Sequence, residues 1–269
     1  MENDHVKESA KYSNGGALSN SHGKYKEAIE EFNKAIELDP KNVTAYVNKG
    51  VALLSLGKYE EAIDQFDHAL SIDSSIASAY YDKGIALMDL KRYYDAINQL
   101  NKAIELDSND ALYRERTGFI LNLLGEYEKA IEEFDKAVEI DTNYLEAHLN
   151  KGVALLSLGR YEEAIKEFDK VIEINSKYAD AYVNKGIVLA YLGRYDDALK
   201  QFDKALEINP NNSGIYYNKG IAFMQFENYK RAIKEFDKAI ELAPNGDEYR
   251  KMREKAIKML EQSIKPKSS

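Results

Sequence analysis

Cysteine and tryptophan are both absent from the 269 residues, and the chain has only four prolines and four histidines. Without cysteine there is no disulfide, no thiol nucleophile and no thiolate metal site, a composition that suits a reducing compartment. His5, His22, His68 and His148 share no ligand spacing, so neither a metal nor another cofactor is expected. No nucleophile elbow occurs, and no glycine-rich phosphate loop follows a strand. Positive charge is also in deficit, with 37 lysines and arginines against 46 acids and a net charge of −9. A surface that tracks phosphates by counterion release is therefore poorly served, and no nucleic-acid partner is expected. Long apolar runs are missing too. The opening MENDHVKESAKYSNGG has no signal-peptide core and nothing downstream reaches the length of a membrane span, so the expectation is a soluble, cytoplasmic chain without a membrane partner.

What the sequence has is repetition. Gly16, Gly50, Gly84, Gly118, Gly152, Gly186 and Gly220 recur every 34 residues with no insertion. Seven units follow, starting near Ser9, Val43, Ala77, Ala111, Leu145, Ala179 and Ser213, and an unbroken period of this length defines an elongated array. In the second unit apolar residues recur at helical spacing from Thr44 to Leu56, Gly57 and Lys58 interrupt, and a second helical run extends from Tyr59 to Ile72. Gly57 suits the left-handed position just past a helix, as do Gly23, Gly125, Gly159 and Gly193. Lys91 and Glu227 stand at that place in the third and seventh units, where the turn must close differently or carry strain. Pro40, Pro210 and Pro244 stop second helices, with Ser74, Ser108, Thr142 and Ser176 in the other units. Gly50 and Ala62 are expected to meet where the two helices cross, and Tyr59, Phe66 and Ala69 to face the core.

The ends differ from the middle. Residues 1–8 are polar and expected to be flexible, the seven units occupy 9–246, a capping helix with Tyr249, Met252, Ala256 and Leu260 on one stripe spans 247–264, and 265–269 is a loose tail. The first half of unit one offers only Tyr12 and Leu18 as large apolar groups, which reads either as a polar terminal cap or as a functional arm.

Tyr182, Gly186, Tyr195, Ala198, Phe202, Ala205 and Pro210 stand at the offsets of the tetratricopeptide repeat motif, and the resemblance covers about residues 9 to 246. It implies an all-α, right-handed α-solenoid of seven helix-turn-helix repeats plus the capping helix, with first helices lining a concave side. It also implies a protein that binds peptide segments of other proteins. Members that clasp chaperone tails carry a cationic set on their first helices. Here the residues after the anchor glycines are Val51, Ile85, Phe119, Val153, Ile187 and Ile221, so that subtype is not expected.

Two residues before the anchors lie Asn14, Asn48, Asp82, Arg116, Asn150, Asn184 and Asn218. An asparagine amide can both donate to and accept from a peptide backbone, so these rungs either hold an extended ligand or bond the neighbouring repeat. Around them an apolar stripe is expected to face the groove: Val47, Val51, Leu54, Tyr81, Ile85, Met88, Phe119, Leu149, Val153, Leu156, Val183, Ile187, Tyr191, Tyr217, Ile221 and Met224. It is either partly open for an amphipathic or extended apolar peptide or consumed by neighbouring first helices. The fourth unit departs from the rule with Arg114, Glu115, Arg116 and Thr117 before Gly118. Arg116 either pairs with Asp82 one rung away or forms a cationic spot for an acidic ligand group. Lys49, Lys83, Lys151, Lys185 and Lys219 precede the other anchors and are expected to lay their stems on apolar surface with the ammonium at water or a carboxylate. Paired acids such as Glu60 with Glu61 and Glu162 with Glu163 open second helices, where carboxylates favour the helix dipole over acid-base catalysis. The sequence thus points to a non-enzymatic protein-interaction scaffold with a peptide-binding groove. The alternative is a module that self-associates through the same apolar surface into a homo-oligomer.

Overall fold

The computed structural model describes residues 2–264, which form fifteen α-helices and no strand. Their backbone contacts divide into two units after Asp141. The first holds α1 (Glu2–Ser21), α2 (Tyr25–Leu38), α3 (Val43–Ser55), α4 (Tyr59–Ile72), α5 (Ala77–Asp89), α6 (Tyr93–Leu106), α7 (Ala111–Leu123) and α8 (Tyr127–Ile140). The second holds α9 (Leu145–Ser157), α10 (Tyr161–Ile174), α11 (Ala179–Tyr191), α12 (Tyr195–Ile208), α13 (Ser213–Gln225), α14 (Tyr229–Leu242) and α15 (Asp247–Ile264). In each unit helices pair as hairpins, and each second helix packs in turn on the first helix of the next hairpin. The expected tail at 265–269 lies outside the described residues.

The anchor glycines have a more specific cause than a crossing of small residues. A Cβ added to Gly50 would come within 2.5 Å of the Phe66 ring, and one on Gly152 within 2.5 Å of Phe168. The nearest atoms to the added carbon are those of the buried phenylalanine, and at Gly84 the backbone oxygen of Ala96, the counterpart of Ala62, is also close at 3.4 Å. The ring lies flat over bare backbone, and Phe32, Phe66, Phe134, Phe168, Phe202 and Phe236 are all fully buried this way. In the third hairpin Leu100 replaces the ring, and a Cβ on Gly84 would stand 3.1 Å from it.

Turn geometry follows the glycine pattern, with two exceptions. Gly57, Gly159 and Gly193 adopt φ of 72°, and Lys91 and Glu227 adopt the same left-handed conformation at 61° and 56°. Those two turns close like the others and bear the strain of a Cβ there. The prolines fall just after second helices, whose last caps at Asp39, Asn209 and Ala243 are extended or nearly so.

At the N-terminus the helix begins at Glu2 rather than near Ser9, and it continues through Gly15 and Gly16. Nothing between Glu2 and Glu8 breaks a helix, and packing along α2 supports the rest. That packing is polar and small. Ser9 and Ser13 are buried, the Ser9 hydroxyl donates to the Ala35 carbonyl at 2.7 Å, and the Asn42 amide donates back to Ser9 Oγ at 2.9 Å. The capping helix α15 closes the second unit as its stripe predicts. Ala256 is fully buried, Met252 and Met259 pack against Phe223, Met224 and Phe236, and the Tyr249 hydroxyl meets Ser213 Oγ at 3.2 Å.

Lys83, Lys151, Lys185 and Lys219 end on carboxylates, whereas Lys49 forms no ion pair among the described residues. Lys83 meets Asp67 at 2.5 Å, Lys185 meets Asp169 at 2.5 Å and Lys219 meets Asp203 at 2.8 Å, each on the preceding second helix. Lys151 instead turns to Glu167 on its own hairpin at 2.7 Å. The pairs on Asp67, Asp169 and Asp203 link successive hairpins, and α15 continues the pattern through Arg253 and Asp237. The acids at second-helix starts are likewise structural. Glu61 pairs with Lys58 at 2.8 Å and Glu163 with Arg160 at 2.6 Å.

Candidate functional site

A residue two positions before an anchor glycine lies 200° around the helix from it at 100° per residue, hence on the face turned away from its second helix. This places Asn48, Asp82 and Arg116 on the outer face of first helices in the first unit, and Asn150, Asn184 and Asn218 in the second. All six are half-buried. The side chains of Asn48, Asn184 and Asn218 make no hydrogen bond within the described residues, and none of their polar atoms is sealed from water. They do not tie one repeat to the next. Asn150 is engaged within the chain.

The apolar stripe is mostly consumed. Val47, Val51 and Leu54 pack with Ile29 onto the cluster of Leu53, Ala62 and Phe66. Tyr81 and Met88 pack onto Leu87, Leu100 and Ile120, and Val183 and Ile187 onto Leu189 and Phe202. Ile85, Phe119, Leu149, Val153 and Leu156 are half-buried. Met224 is only 8 % exposed: it lies in the cluster that α15 completes, so its expected place on an open face is overturned. The same hairpin, its neighbours and the capping helix thus take up much of the surface expected to be free.

An opening lies in the second unit. A cavity of about 280 Å³ between α11 and α13 is lined by Ile187, Ala190, Tyr191, Tyr217, Asn218, Ile221 and Gln225, with Phe202 and Ala222 beneath. Tyr191 is 58 % exposed and its ring stacks on Tyr161 with centroids 5.8 Å apart. Tyr217 leans on Tyr249, and its hydroxyl donates to Glu248 at 2.8 Å. Burial and that carboxylate push its pKa up to about 12, so it stays a neutral donor at any ordinary pH. An apolar floor with the Asn218 and Gln225 amides at its side suits a hydrophobic side chain held next to a peptide bond. Ala190 and Gln225 were not singled out in the sequence. Only their spacing from Ile187 and Ile221 on one helical face could have marked them.

The charged rungs depart from the expected ion pair. Asp82 and Arg116 do not pair. The Arg116 guanidinium turns to Glu115 at 3.7 Å, to the Tyr81 hydroxyl and over the Phe119 ring at 5.6 Å, and its Nε is buried without a partner. Asp82 makes neither a hydrogen bond nor an ion pair within the described residues, and burial raises its pKa to about 6. Beside it the Tyr81 and Tyr113 rings stand 5.2 Å apart. Arg114 meanwhile engages Glu133 at 3.2 Å, the acid at the same place as Glu167.

His148 joins a cluster that spacing alone did not reveal. Its Nδ1 is 2.6 Å from Glu167, its Nε2 is 3.1 Å from the Thr142 carbonyl, and Lys151 reaches the other oxygen of Glu167. The bond to Glu167 raises the His148 pKa against the opposing effect of burial. Every group in the cluster is satisfied, and it contains no nucleophile. Among the described residues no group of three or more histidines, cysteines or acids could hold a metal ion, and no helix is long and apolar enough to cross a membrane.

Stacked helical hairpins with a regular 34-residue period define an α-solenoid built for protein-protein interaction. Family models described as Tetratricopeptide repeat match residues 179–212, 214–245 and 41–109, and one described as TPR repeat matches 19–57, 118–159 and 154–193. The chain belongs to the tetratricopeptide repeat family. Among curated proteins no relative matches it. Of the solved structures it resembles, MamA shares 29 % identity with a TM-score of 0.57, covering 61 % of this chain and 96 % of that one. A tetratricopeptide repeat protein from Parabacteroides merdae shares 18 % identity with a TM-score of 0.71 over 93 % of this chain and 99 % of that one. A chain of the APC/C hetero-tetramer Cut9-Hcn1 shares 17 % identity at the same TM-score, over 91 % and 48 %. The last two support the fold alone.

Proposed function

We propose that the chain is a non-enzymatic scaffold that holds an extended peptide segment of a partner protein against its first-helix faces. The observation that carries this reading is the state of the rungs: Asn48, Asn184 and Asn218 present amides that no group among the described residues uses. A free amide can accept from one peptide group of a ligand and donate to the next, whatever the ligand's side chains. In the second unit Asn218 does so at the wall of the 280 Å³ cavity, where Ile187, Tyr191 and Ile221 take an apolar side chain of the same segment. Backbone rungs thus supply grip and the cavity supplies preference.

Amide hydrogen exchange tests the placement. A dodecapeptide selected from a random phage library on the full chain should slow exchange and shift side-chain signals along α11 and α13 around Asn184, Tyr191 and Asn218. Protection confined to second helices would contradict the reading. Light scattering run alongside addresses self-association: a mass that doubles with concentration and falls back when the peptide is added would assign the same face to a second copy.

A further inference from the structure

We propose that Asp82 selects a basic side chain, lysine or arginine, of the peptide segment held against the first helices of the first unit. The inference rests on the peptide-binding reading and adds a chemical preference to it.

Three observations converge on this residue. The first is position. Asp82 precedes Gly84 by two residues, and Gly84 faces Leu100 on α6, so the carboxylate points to the opposite face, in register with Asn48. The second is isolation. Half-buried carboxylates normally find a cation or several donors, because removing the charge from water is otherwise uncompensated. Among the described residues Asp82 has neither, and Arg116, one rung away, is turned to Glu115, Tyr81 and Phe119. Burial without any counterion is what lifts its pKa to about 6. The third is the comparison within the molecule. Asn48, Asn184 and Asn218 occupy the same place with the same shape and no charge, so packing does not require an acid here.

A cation from outside supplies the missing partner. The half-buried Tyr81 ring beside the carboxylate, backed by the buried Tyr113 ring, offers an apolar wall for the stem of a lysine or arginine. A bound divalent metal would require further oxygen ligands, and among the described residues no group of three acids or histidines stands together.

The test uses the full chain and its Asp82→Asn variant, which restores the residue type of the neighbouring rungs. Both are panned against a random dodecapeptide phage library. The wild type should enrich lysine or arginine at one position by about fivefold or more, and the variant should select peptides without that position. The leading peptide and its norleucine analogue are then titrated by calorimetry. The lysine peptide should bind the wild type about tenfold more tightly than the analogue, and the two should bind Asp82→Asn alike. The net charge of −9 would favour basic peptides generally, but the variant changes it by a single charge. Equal basic enrichment on both proteins therefore overturns the proposal. Selection of peptides with no basic position overturns it while leaving peptide binding intact, and failure to select any peptide overturns both.

Discussion

The ring of Phe66 lies so close to Gly50 that a single added carbon would stand 2.5 Å from it. The glycine and the phenylalanine form one packing unit, and the pair recurs through the array wherever the ring is kept. Gly50→Ala must displace a fully buried ring, at a cost of about 1–3 kcal/mol. At Gly84 the neighbour is Leu100, 3.1 Å from the added carbon, and a small shift suffices. The gain in helix propensity, about 0.5–1 kcal/mol, should leave Gly84→Ala near neutral. Urea unfolding of the two variants checks the difference.

Lys91 and Glu227 hold left-handed backbone at φ of 61° and 56°. Glycine relieves the Cβ clash there but adds freedom to the unfolded chain, so Lys91→Gly and Glu227→Gly should each stabilise by up to about 1 kcal/mol. The reverse change, Gly57→Ala, should destabilise by a comparable amount. Thermal melts of the three proteins give the sign.

His148 sets a pH dependence. Glu167 and the Thr142 carbonyl both accept, so the ring must donate from both nitrogens, which only the imidazolium does. Its folded pKa is raised above 6.5. The stabilisation is fully present below the unfolded value and is lost as pH rises through the folded one. Wild-type stability should therefore fall on moving from about pH 6 to pH 8.5, and His148→Gln should flatten that slope. A parallel slope in both proteins would place its cause elsewhere.

The Asp82 pKa is raised as well, but by burial rather than by a partner. An acid raised from 3.8 to about 6 binds its proton more tightly in the folded chain, so stability drops as pH rises through that interval and stays lower above it. Asp82→Asn should stabilise the chain at pH 7 by no more than about 3 kcal/mol, less where water reaches the carboxylate, and should remove the drop. Denaturation at pH 4 and pH 7 measures both effects.

Period, hairpins and capping helix were legible because each rests on local features repeated many times: apolar spacing, a glycine after the first helix, a breaker after the second. The reach of the preceding lysines to acids was legible for the same reason. What the sequence left open depended on which neighbour a side chain meets. Nothing in the spacing told whether Asp82 and Arg116 would pair. Arg116 had Glu115 beside it and the Tyr81 hydroxyl within reach, and those won. Met224 carries the same pattern as Met88, but α15 covers only the former. Sequence offsets also do not show the Phe66 ring reaching back along its own helix to Gly50. Polar composition at residues 1–8 reads as fraying, whereas α1 starts at Glu2.

The central claim is that free asparagine rungs beside the α11–α13 cavity hold a peptide. The direct measurement is calorimetric affinity for a library-selected dodecapeptide on the wild type and on Asn184→Ala with Asn218→Ala, with circular dichroism and melting temperature confirming the fold. The account predicts at least about tenfold weaker binding by the double variant with its fold retained. Unchanged affinity in a folded double variant would contradict it.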